Sequence, residues 1–136
     1  MFFSKGHACT ALYSVMADCD LFPMEWLSTY AQDDSHLPSH PCIYSLPILE
    51  FSSGSLGHGL GVAAGALYGL RLDGSDARAV VIVSDGECNE GSVWEASMSA
   101  SHFKLNNLTA ILDKNNLQQT GSNEEIMSTK ELGNKW

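Results

Sequence analysis

The stretch from Val80 to Gln118, VVIVSDGECNEGSVWEASMSASHFKLNNLTAILDKNNLQ, decides the fold. It opens with the β-branched run Val80–Val83, a pattern typical of a strand that is buried on both faces. A helix is predicted next, beginning at the capping box Ser92–Glu95 and ending at Lys104. A second short apolar strand, Leu108–Leu112, follows. Strand, helix and strand with short links form a βαβ unit, so we expect the two strands to be parallel.

Polar residues follow both of these strands. Asp85 and Gly86 come just after the first strand, and Asn115 comes thirty residues after Asp85, beyond the second strand. Because open α/β sheets bind ligands at the carboxyl ends of their strands, we expect these residues to share a site. Carboxylate and amide oxygens suit Mg²⁺ or Ca²⁺, and Gly86 would let the backbone approach a phosphate closely. An ordinary α/β protein with an Asp-Gly turn and an Asn turn would show the same dipeptides.

Length, composition and charge limit the class of protein. The 136 residues suffice for one domain with a hydrophobic core, and 44% apolar with 17% charged residues is typical of a globular chain. The net charge of −9 argues against nucleic acid and against an anionic membrane as partners. We see no transmembrane run and no signal peptide, and the four cysteines form no C-x-x-C pair. We therefore expect a cytoplasmic protein with free thiols.

Further helices are predicted outside the central unit. Ala8–Asp18 has apolar residues at helical spacing, and Met24–Tyr30 follows a proline. Leu56–Leu72 combines a helical leucine pattern with five glycines, and each glycine costs up to about 1 kcal/mol relative to alanine. This helix is therefore expected to approach another backbone or a ligand closely. Gln32–Ser53 is predicted to be a long loop, and another helix is expected to begin within Glu124–Leu132.

Five motifs occur along the chain in one order. They are Ser-Lys-Gly-His-Ala at 4–8, Leu-Tyr-Ser at 12–14, Ser-His-Pro at 39–41, Ser-Ser-Gly-Ser-Leu-Gly-His-Gly-Leu at 52–60, and the Asp-Gly to Asn-Asn unit at 85–116. The last is similar to the thiamine diphosphate motif, with Ser84 in place of its first glycine. Together the motifs resemble the transketolase family over nearly the whole chain, in particular the N-terminal subunit of two-chain transketolases.

The resemblance implies a fold, a reaction and partners. The fold would be α/β, a parallel sheet flanked by helices of the thiamine-diphosphate-binding type, with residues 1–136 forming a partial diphosphate-binding domain. The reaction would be two-carbon ketol transfer between sugar phosphates, with thiamine diphosphate and Mg²⁺ (or Ca²⁺) as cofactors. The implied partner is a pyrimidine-binding, C-terminal transketolase subunit or domain, within a homo- or hetero-oligomer.

The resemblance also implies which residues hold the diphosphate end of the cofactor. Asp85 and Asn115 correspond to the family's metal ligands, and the carbonyl of Leu117 would be the third protein oxygen. Gly86 corresponds to the glycine whose N–H meets the diphosphate. His7 corresponds to a histidine near the phosphates and is a candidate for both catalysis and cofactor binding, although it could be only a residue at a helix N-terminus.

Other residues correspond to family positions nearer to the reacting groups. Gly54 and Leu56 match the loop whose backbone touches the aminopyrimidine. His40 matches a histidine that contacts the donor substrate near the reacting carbon, and it could otherwise be a solvated loop residue. Glu90 and Glu95 match acidic residues near a dimer interface, although Glu95 could serve the capping box alone.

The sequence departs from the family pattern in several places. Gln119 lies where the family often packs an apolar residue near the thiazolium ring. Two further family histidines and the pyrimidine-binding domain, with its activating glutamate, have no counterpart here. We therefore expect a chain that is truncated at both ends and inactive by itself. The helix at Leu56–Leu72 and the segment around Trp94 are the expected interface with a partner.

Alternatives from other classes remain open. The chain could be a catalytically inactive binding or assembly remnant of the same domain. Gly59–Ala64 fits the G-x-G-x-x-A fingerprint of dinucleotide-binding domains, which needs a strand directly before it, and Ile48–Phe51 is the candidate strand. His36, His40 and Cys42 could hold zinc, but the intervening prolines disfavour a helical pair of ligands.

Overall fold

Three parallel strands form the central sheet of the computed structural model, which describes residues 1–136. They lie in the order β1 (Phe2–Phe3), β2 (Ala79–Ser84) and β3 (Leu108–Asp113). β2 and β3 pair in register along their whole length, from Ala79 opposite Leu108 to Ser84 opposite Asp113. The parallel pairing predicted for the βαβ unit is confirmed, whereas β1 was not predicted because two residues carry no period.

Five α-helices and a small hairpin surround this sheet. The helices are α1 (Cys9–Asp18), α2 (Gly59–Leu72), α3 (Gly91–His102), α4 (Asn123–Ile126) and α5 (Leu132–Lys135). Short 3₁₀ helices occupy Gly6–Ala8, Met24–Thr29 and Gly86–Asn89. An antiparallel hairpin of β4 (Leu117–Gln118) and β5 (Gly121–Ser122) follows the central unit, in a polar stretch that shows no strand pattern. No helix combines the length and the apolarity that a bilayer span requires.

The beginning of α3 differs from the prediction. The helix begins at Gly91, and no side chain caps it. The hydroxyl of Ser92 instead donates to the carbonyl oxygen of Gly57, 2.8 Å away. Thus the Ser92–Glu95 capping box was wrong, because a tertiary acceptor takes the serine hydroxyl. A capping box does occur at the start of α4, where Ser122 and Glu125 hydrogen-bond reciprocally.

Other helix boundaries differ from the predictions by a few residues. α2 begins at Gly59 rather than Leu56, since Gly57 has a φ of +85°, outside the helical region. α3 ends two residues before Lys104, which has a φ of +52°. The segment 24–30 is a 3₁₀ helix rather than an α-helix, and the segment 124–132 divides between α4 and α5.

Two hydrophobic clusters lie on opposite sides of the sheet. The larger packs α2 and α3 against Ala79, Val81 and Val83 of β2, which are buried. The second packs α1 against the long loop, with Leu37 and Leu46 of the loop buried. The other face of β2 is only half-buried, so the expectation of a strand buried on both faces holds for one face of the isolated chain.

The long loop and the histidines within it settle two of the alternatives. No strand lies directly before α2, because Ile48–Phe51 forms turns and bends, so the dinucleotide fingerprint lacks its required context. His36 stacks on Trp26 with ring centroids 4.1 Å apart, and no cluster of three His, Cys, Asp or Glu side chains suits a metal ion. Zinc bound by His36, His40 and Cys42 is therefore not supported.

Candidate cofactor site

A cleft with a volume of about 700 Å³ opens at the carboxyl ends of β2 and β3. It is lined by six of the eight predicted site residues, all except Gly54 and Asp85: His7, His40, Leu56, Gly86, Asn115 and Leu117. These residues come from five separate segments of the chain. The fold thus gathers them at the sheet edge where ligands of α/β proteins bind.

Asp85 lies beneath this cleft and is fully buried. Its Oδ1 accepts a hydrogen bond from the N–H of Gly86 at 3.0 Å. Its Oδ2 accepts from the N–H of Asn116 at 2.7 Å and from Nδ2 of Asn123 at 2.8 Å. No cationic group forms an ion pair with Asp85. The ion pairs of the chain involve other acidic residues, namely Glu50, Asp113 and Glu124. A buried carboxylate with no cationic partner is costly, and a bound metal ion would supply the missing charge.

A second buried carboxylate lies two residues further along. Glu87 is fully buried and accepts hydrogen bonds from the N–H groups of Gly57 and Ser84, at 2.8 and 3.2 Å, and from the Ser4 hydroxyl. Burial raises the pKa of the neighbouring Cys88 thiol to about 12, and the charges of Glu87 and Asp85 add to that shift. Two buried carboxylates, Asp85 and Glu87, therefore lie at the end of β2 with no cationic side chain paired to either.

The chemistry of the oxygen donors at the ends of β2 and β3 suits a hard divalent cation. The side chain of Asn115 is exposed, and its Oδ1 accepts from the N–H of Leu117 at 2.9 Å. A β-carbon added at Gly86 would lie 2.9 Å from Cγ of Gln118 and 3.7 Å from the carbonyl oxygen of Leu117. The backbone at Leu117 therefore lies against Gly86. A carboxylate, an amide oxygen and a carbonyl oxygen form the kind of donor set that Mg²⁺ and Ca²⁺ take.

Two histidines meet across the cleft. The rings of His7 and His40 lie edge to face, with centroids 5.3 Å apart. The His40 ring also packs against Gly54, where an added β-carbon would lie 3.1 Å from its Cδ2. Gly54 has a φ of +146°, and a β-carbon at Gly6 would lie 2.7 Å from its nitrogen. Glycine is required at both positions, because the two backbones touch.

Some residues of the cleft were missed or left out by the sequence reasoning. Lys5 lines the cleft, and its Nζ lies 2.6 Å from Oδ2 of Asp113, the last residue of β3. Glu87 was missed because its partners Ser4 and Gly57 lie far away in the sequence, so no local pattern points to it. Glu90 and Gln119 also line the cleft, whereas Glu95 is exposed on α3 and lies outside the lining.

Comparison with known proteins decides the family. A sequence model of a protein family described as "Transketolase, thiamine diphosphate binding domain" matches residues 1–136. The chain belongs to the transketolase family. The resemblance drawn from the five motifs is confirmed, and so is the class of fold.

Individual proteins similar to this chain are also transketolases or subunits of transketolases. The chain is 43% identical to one subunit of the apulose-4-phosphate transketolase of Actinobacillus succinogenes over 133 residues, which are 98% of this chain and 48% of that protein. It is 42% identical to transketolase of Homo sapiens over 118 residues, 86% of this chain and 19% of that protein. The structure of transketolase from Leishmania mexicana superposes with a TM-score of 0.84 at 31% identity, over 98% of this chain and 22% of that one.

These relatives are longer than this chain. The chain spans about half the length of the Actinobacillus succinogenes relative and about a fifth of the length of the transketolases from Homo sapiens and Leishmania mexicana. The matches therefore identify the thiamine-diphosphate-binding part of the family. What the whole relatives do is carried to this chain only as a proposal.

Proposed function

We propose that residues 1–136 form part of the diphosphate-binding domain of a transketolase-type enzyme. In this proposal the chain anchors thiamine diphosphate through Mg²⁺ (or Ca²⁺) for two-carbon ketol transfer between sugar phosphates. One observation carries the proposal: the buried, unpaired carboxylate of Asp85 lies under a cleft that collects the motif residues from across the chain.

The metal and the diphosphate would share the floor of the cleft. Asp85, Asn115 and the carbonyl of Leu117 would hold the metal, because all three are oxygen donors at adjoining strand ends. Gly86 would leave room for the diphosphate, and its backbone begins a 3₁₀ turn directly at the cleft. His7, which lines the same cleft, would contact the phosphates. With a chain charge of −9, the metal supplies positive potential that few side chains can provide.

The substrate side of the cleft would be the histidine pair. The bound cofactor supplies the electron sink that lets a carbon–carbon bond break and re-form. Nδ1 of His40 lies 3.5 Å from Oγ of Ser39, and no hydrogen bond within the chain occupies its Nε2. His40 would therefore hold a sugar hydroxyl or its proton at Nε2, with His7 beside it. The loop of Gly54 and Leu56 would orient the aminopyrimidine by its backbone.

A second subunit or domain would complete the enzyme. The relative from Actinobacillus succinogenes is named as a transketolase subunit, which favours a partner chain for this one. We propose a pyrimidine-binding subunit or domain in a homo- or hetero-oligomer in the cytoplasm. Helix α2 would contribute to the interface, since Val62, Leu70 and Leu72 on it are exposed apolar side chains. Trp94 is half-buried against Trp136 and would lie at its edge.

Titration of thiamine diphosphate with and without Mg²⁺ tests this function. The wild-type chain should bind the cofactor only with the divalent ion. Asp85→Ala should abolish that dependence, but it also strands three hydrogen-bond donors, so Asn115→Ala is the cleaner variant because Asn115 is exposed. Asn106→Ala, at another exposed asparagine, is the matched control.

The outcomes separate the proposal from its alternatives. Metal-dependent binding that Asn115→Ala weakens and Asn106→Ala leaves intact supports the metal site. Equal binding with and without Mg²⁺ contradicts it. Metal-dependent binding by an assembled complex that turns over no ketose would favour the inactive remnant instead.

A further inference from the structure

Side chains bind both backbone groups of Gly57, its N–H and its carbonyl oxygen. Its N–H donates to Oε1 of Glu87 at 2.8 Å, and its carbonyl oxygen accepts from Oγ of Ser92 at 2.8 Å. Gly57 is buried with a φ of +85°, and an added β-carbon would lie 2.7 Å from both Cβ of Glu90 and Oγ of Ser92. This residue directly follows Leu56, which lines the cleft. The loop therefore reaches the cleft in one fixed position.

Glu87 joins that loop to the ends of the central strands. Its Oε2 accepts from the N–H of Ser84, the last residue of β2, at 3.2 Å. The Ser4 hydroxyl, just after β1, donates to its Oε1 and accepts from the N–H of Gly59 at 3.1 Å. The carboxylate thus connects β1, β2 and the beginning of α2, and no cation shares its charge.

Burying the Glu87 carboxylate lowers the stability of the fold, and what it provides in return is a fixed geometry. A buried carboxylate without a cationic partner loses its hydration, whereas apolar side chains in the same place would add packing energy. Hydrogen bonds from three segments onto one rigid planar group do, however, define the relative position of those segments closely. Glu87 also follows Asp85 and Gly86 directly, so it ties the loop to the very residues at the floor of the cleft.

We propose that Glu87 and Ser92 are positioning residues that set the distance between the two ends of the cofactor site. They hold Gly57, and through it Leu56, relative to Asp85 and Gly86. The loop end of the site, at Leu56, would contact the aminopyrimidine, and the strand end, at Asp85 and Gly86, would hold the diphosphate. This inference therefore rests on the function proposed above. Neither side chain needs to touch the cofactor.

Two probes of different length distinguish positioning from general stability. Magnesium pyrophosphate can touch only the strand end, whereas thiamine diphosphate with Mg²⁺ spans both ends. Ser92→Ala should weaken thiamine diphosphate binding by about threefold to tenfold, as one lost hydrogen bond would, and change pyrophosphate binding by less than about twofold. Isothermal titration of the full chain measures both affinities.

Ser97→Ala is a matched control within the same helix. Oγ of Ser97 also donates to a carbonyl at 2.8 Å, but that carbonyl belongs to Val93 of α3 itself. Ser97→Ala should change neither affinity. Glu87→Gln is the second variant, because its amide would place N–H groups opposite a backbone N–H and should produce the same split more strongly. Melting without ligand confirms that each variant is folded.

Each result decides between the proposals. Wild-type affinity for thiamine diphosphate in Ser92→Ala overturns the positioning role, and so does an equal loss for both probes, which would indicate only a structural role. If the wild-type chain binds neither probe with Mg²⁺, the proposed function itself is contradicted.

Discussion

Replacing Tyr13 by phenylalanine tests how the His40 segment is held. Tyr13 is 1% exposed, and its hydroxyl donates to the carbonyl oxygen of Pro38 at 3.1 Å. One helical turn earlier, Sγ of Cys9 donates to the carbonyl of Ser39 at 3.0 Å. α1 thus anchors two successive carbonyls just before His40. Burial raises the pKa of Tyr13 above its ordinary range, so the hydroxyl keeps its proton and remains a donor.

The size of the effect follows from the single contact that is lost. The phenylalanine ring keeps the packing, including the edge-to-face contact with Tyr30 at 6.2 Å. One net hydrogen bond is worth about 1 kcal/mol. For a chain of 136 residues, an unfolding entropy of about 2.1 cal/mol/K per residue converts that loss into a Tm lower by about 3 °C. Tyr44→Phe is the control, because Tyr44 is 89% exposed and should change stability by less than about 0.5 kcal/mol.

Calorimetry and a double-mutant cycle provide the measurement. Tyr13→Phe and Cys9→Ala should be non-additive by about 0.5 kcal/mol or more, because both side chains hold the same segment. Wild-type stability in Tyr13→Phe would refute the reasoning, and strict additivity with Cys9→Ala would show that the two carbonyls are held independently.

Three further predictions concern stability, pH and association. Gly59→Ala should destabilise the chain by about 1–3 kcal/mol, since its β-carbon would lie 2.5 Å from Oγ of Ser4. Gly65→Ala, with open space around it, should stabilise α2 by about 0.5–1 kcal/mol. Urea unfolding that shows wild-type stability for Gly59→Ala, or a loss of stability for Gly65→Ala, would contradict this. The pKa of Cys88 is raised from 9.0 to about 12 in the fold, so the unfolded thiol ionises first and the free energy of unfolding should fall as pH rises from 9 towards 12. In Cys88→Ala the free energy of unfolding should fall less steeply with pH, by up to about 1.4 kcal/mol per pH unit. Equal slopes in the variant and the wild type would contradict the raised pKa. The purified chain alone should self-associate and show no ketol transfer, and Val62→Asp should reduce the association seen by sedimentation; turnover by a monomer would show that the catalytic groups are misplaced.

The central unit could be predicted from sequence because local and tertiary preferences agree there. The β-branched run at Val80–Val83 forms a strand both by propensity and by burial, and its parallel partner follows from the short links. Gly86, Asn115 and Leu117 could be expected to lie together because they follow strand ends, which share one edge of a sheet. His7, in the 3₁₀ helix Gly6–Ala8, and His40, in the long loop, could be brought to one site only through the family resemblance, since no local pattern links them.

Errors arose where a distant contact overrides a local pattern. Ser92 fits the local pattern of a capping box, yet its hydroxyl donates to the carbonyl oxygen of Gly57, which lies in another segment. Glu87 gives no local signal at all, because its partners are thirty or more residues away in two of three cases. The strand β1 consists of two residues whose pairing exists only once β2 is in place. Such contacts depend on the assembled fold and not on sequence period.

The position of the bound metal tests the central claim most directly. Crystals of the chain grown with thiamine diphosphate and Mn²⁺ in place of Mg²⁺ would show the ion by its anomalous scattering. We predict one strong peak bonded to the carboxylate of Asp85, to Oδ1 of Asn115 and to the carbonyl oxygen of Leu117. A peak away from these three oxygens, or cofactor bound in the cleft with no metal beside Asp85, would contradict the proposed metal site.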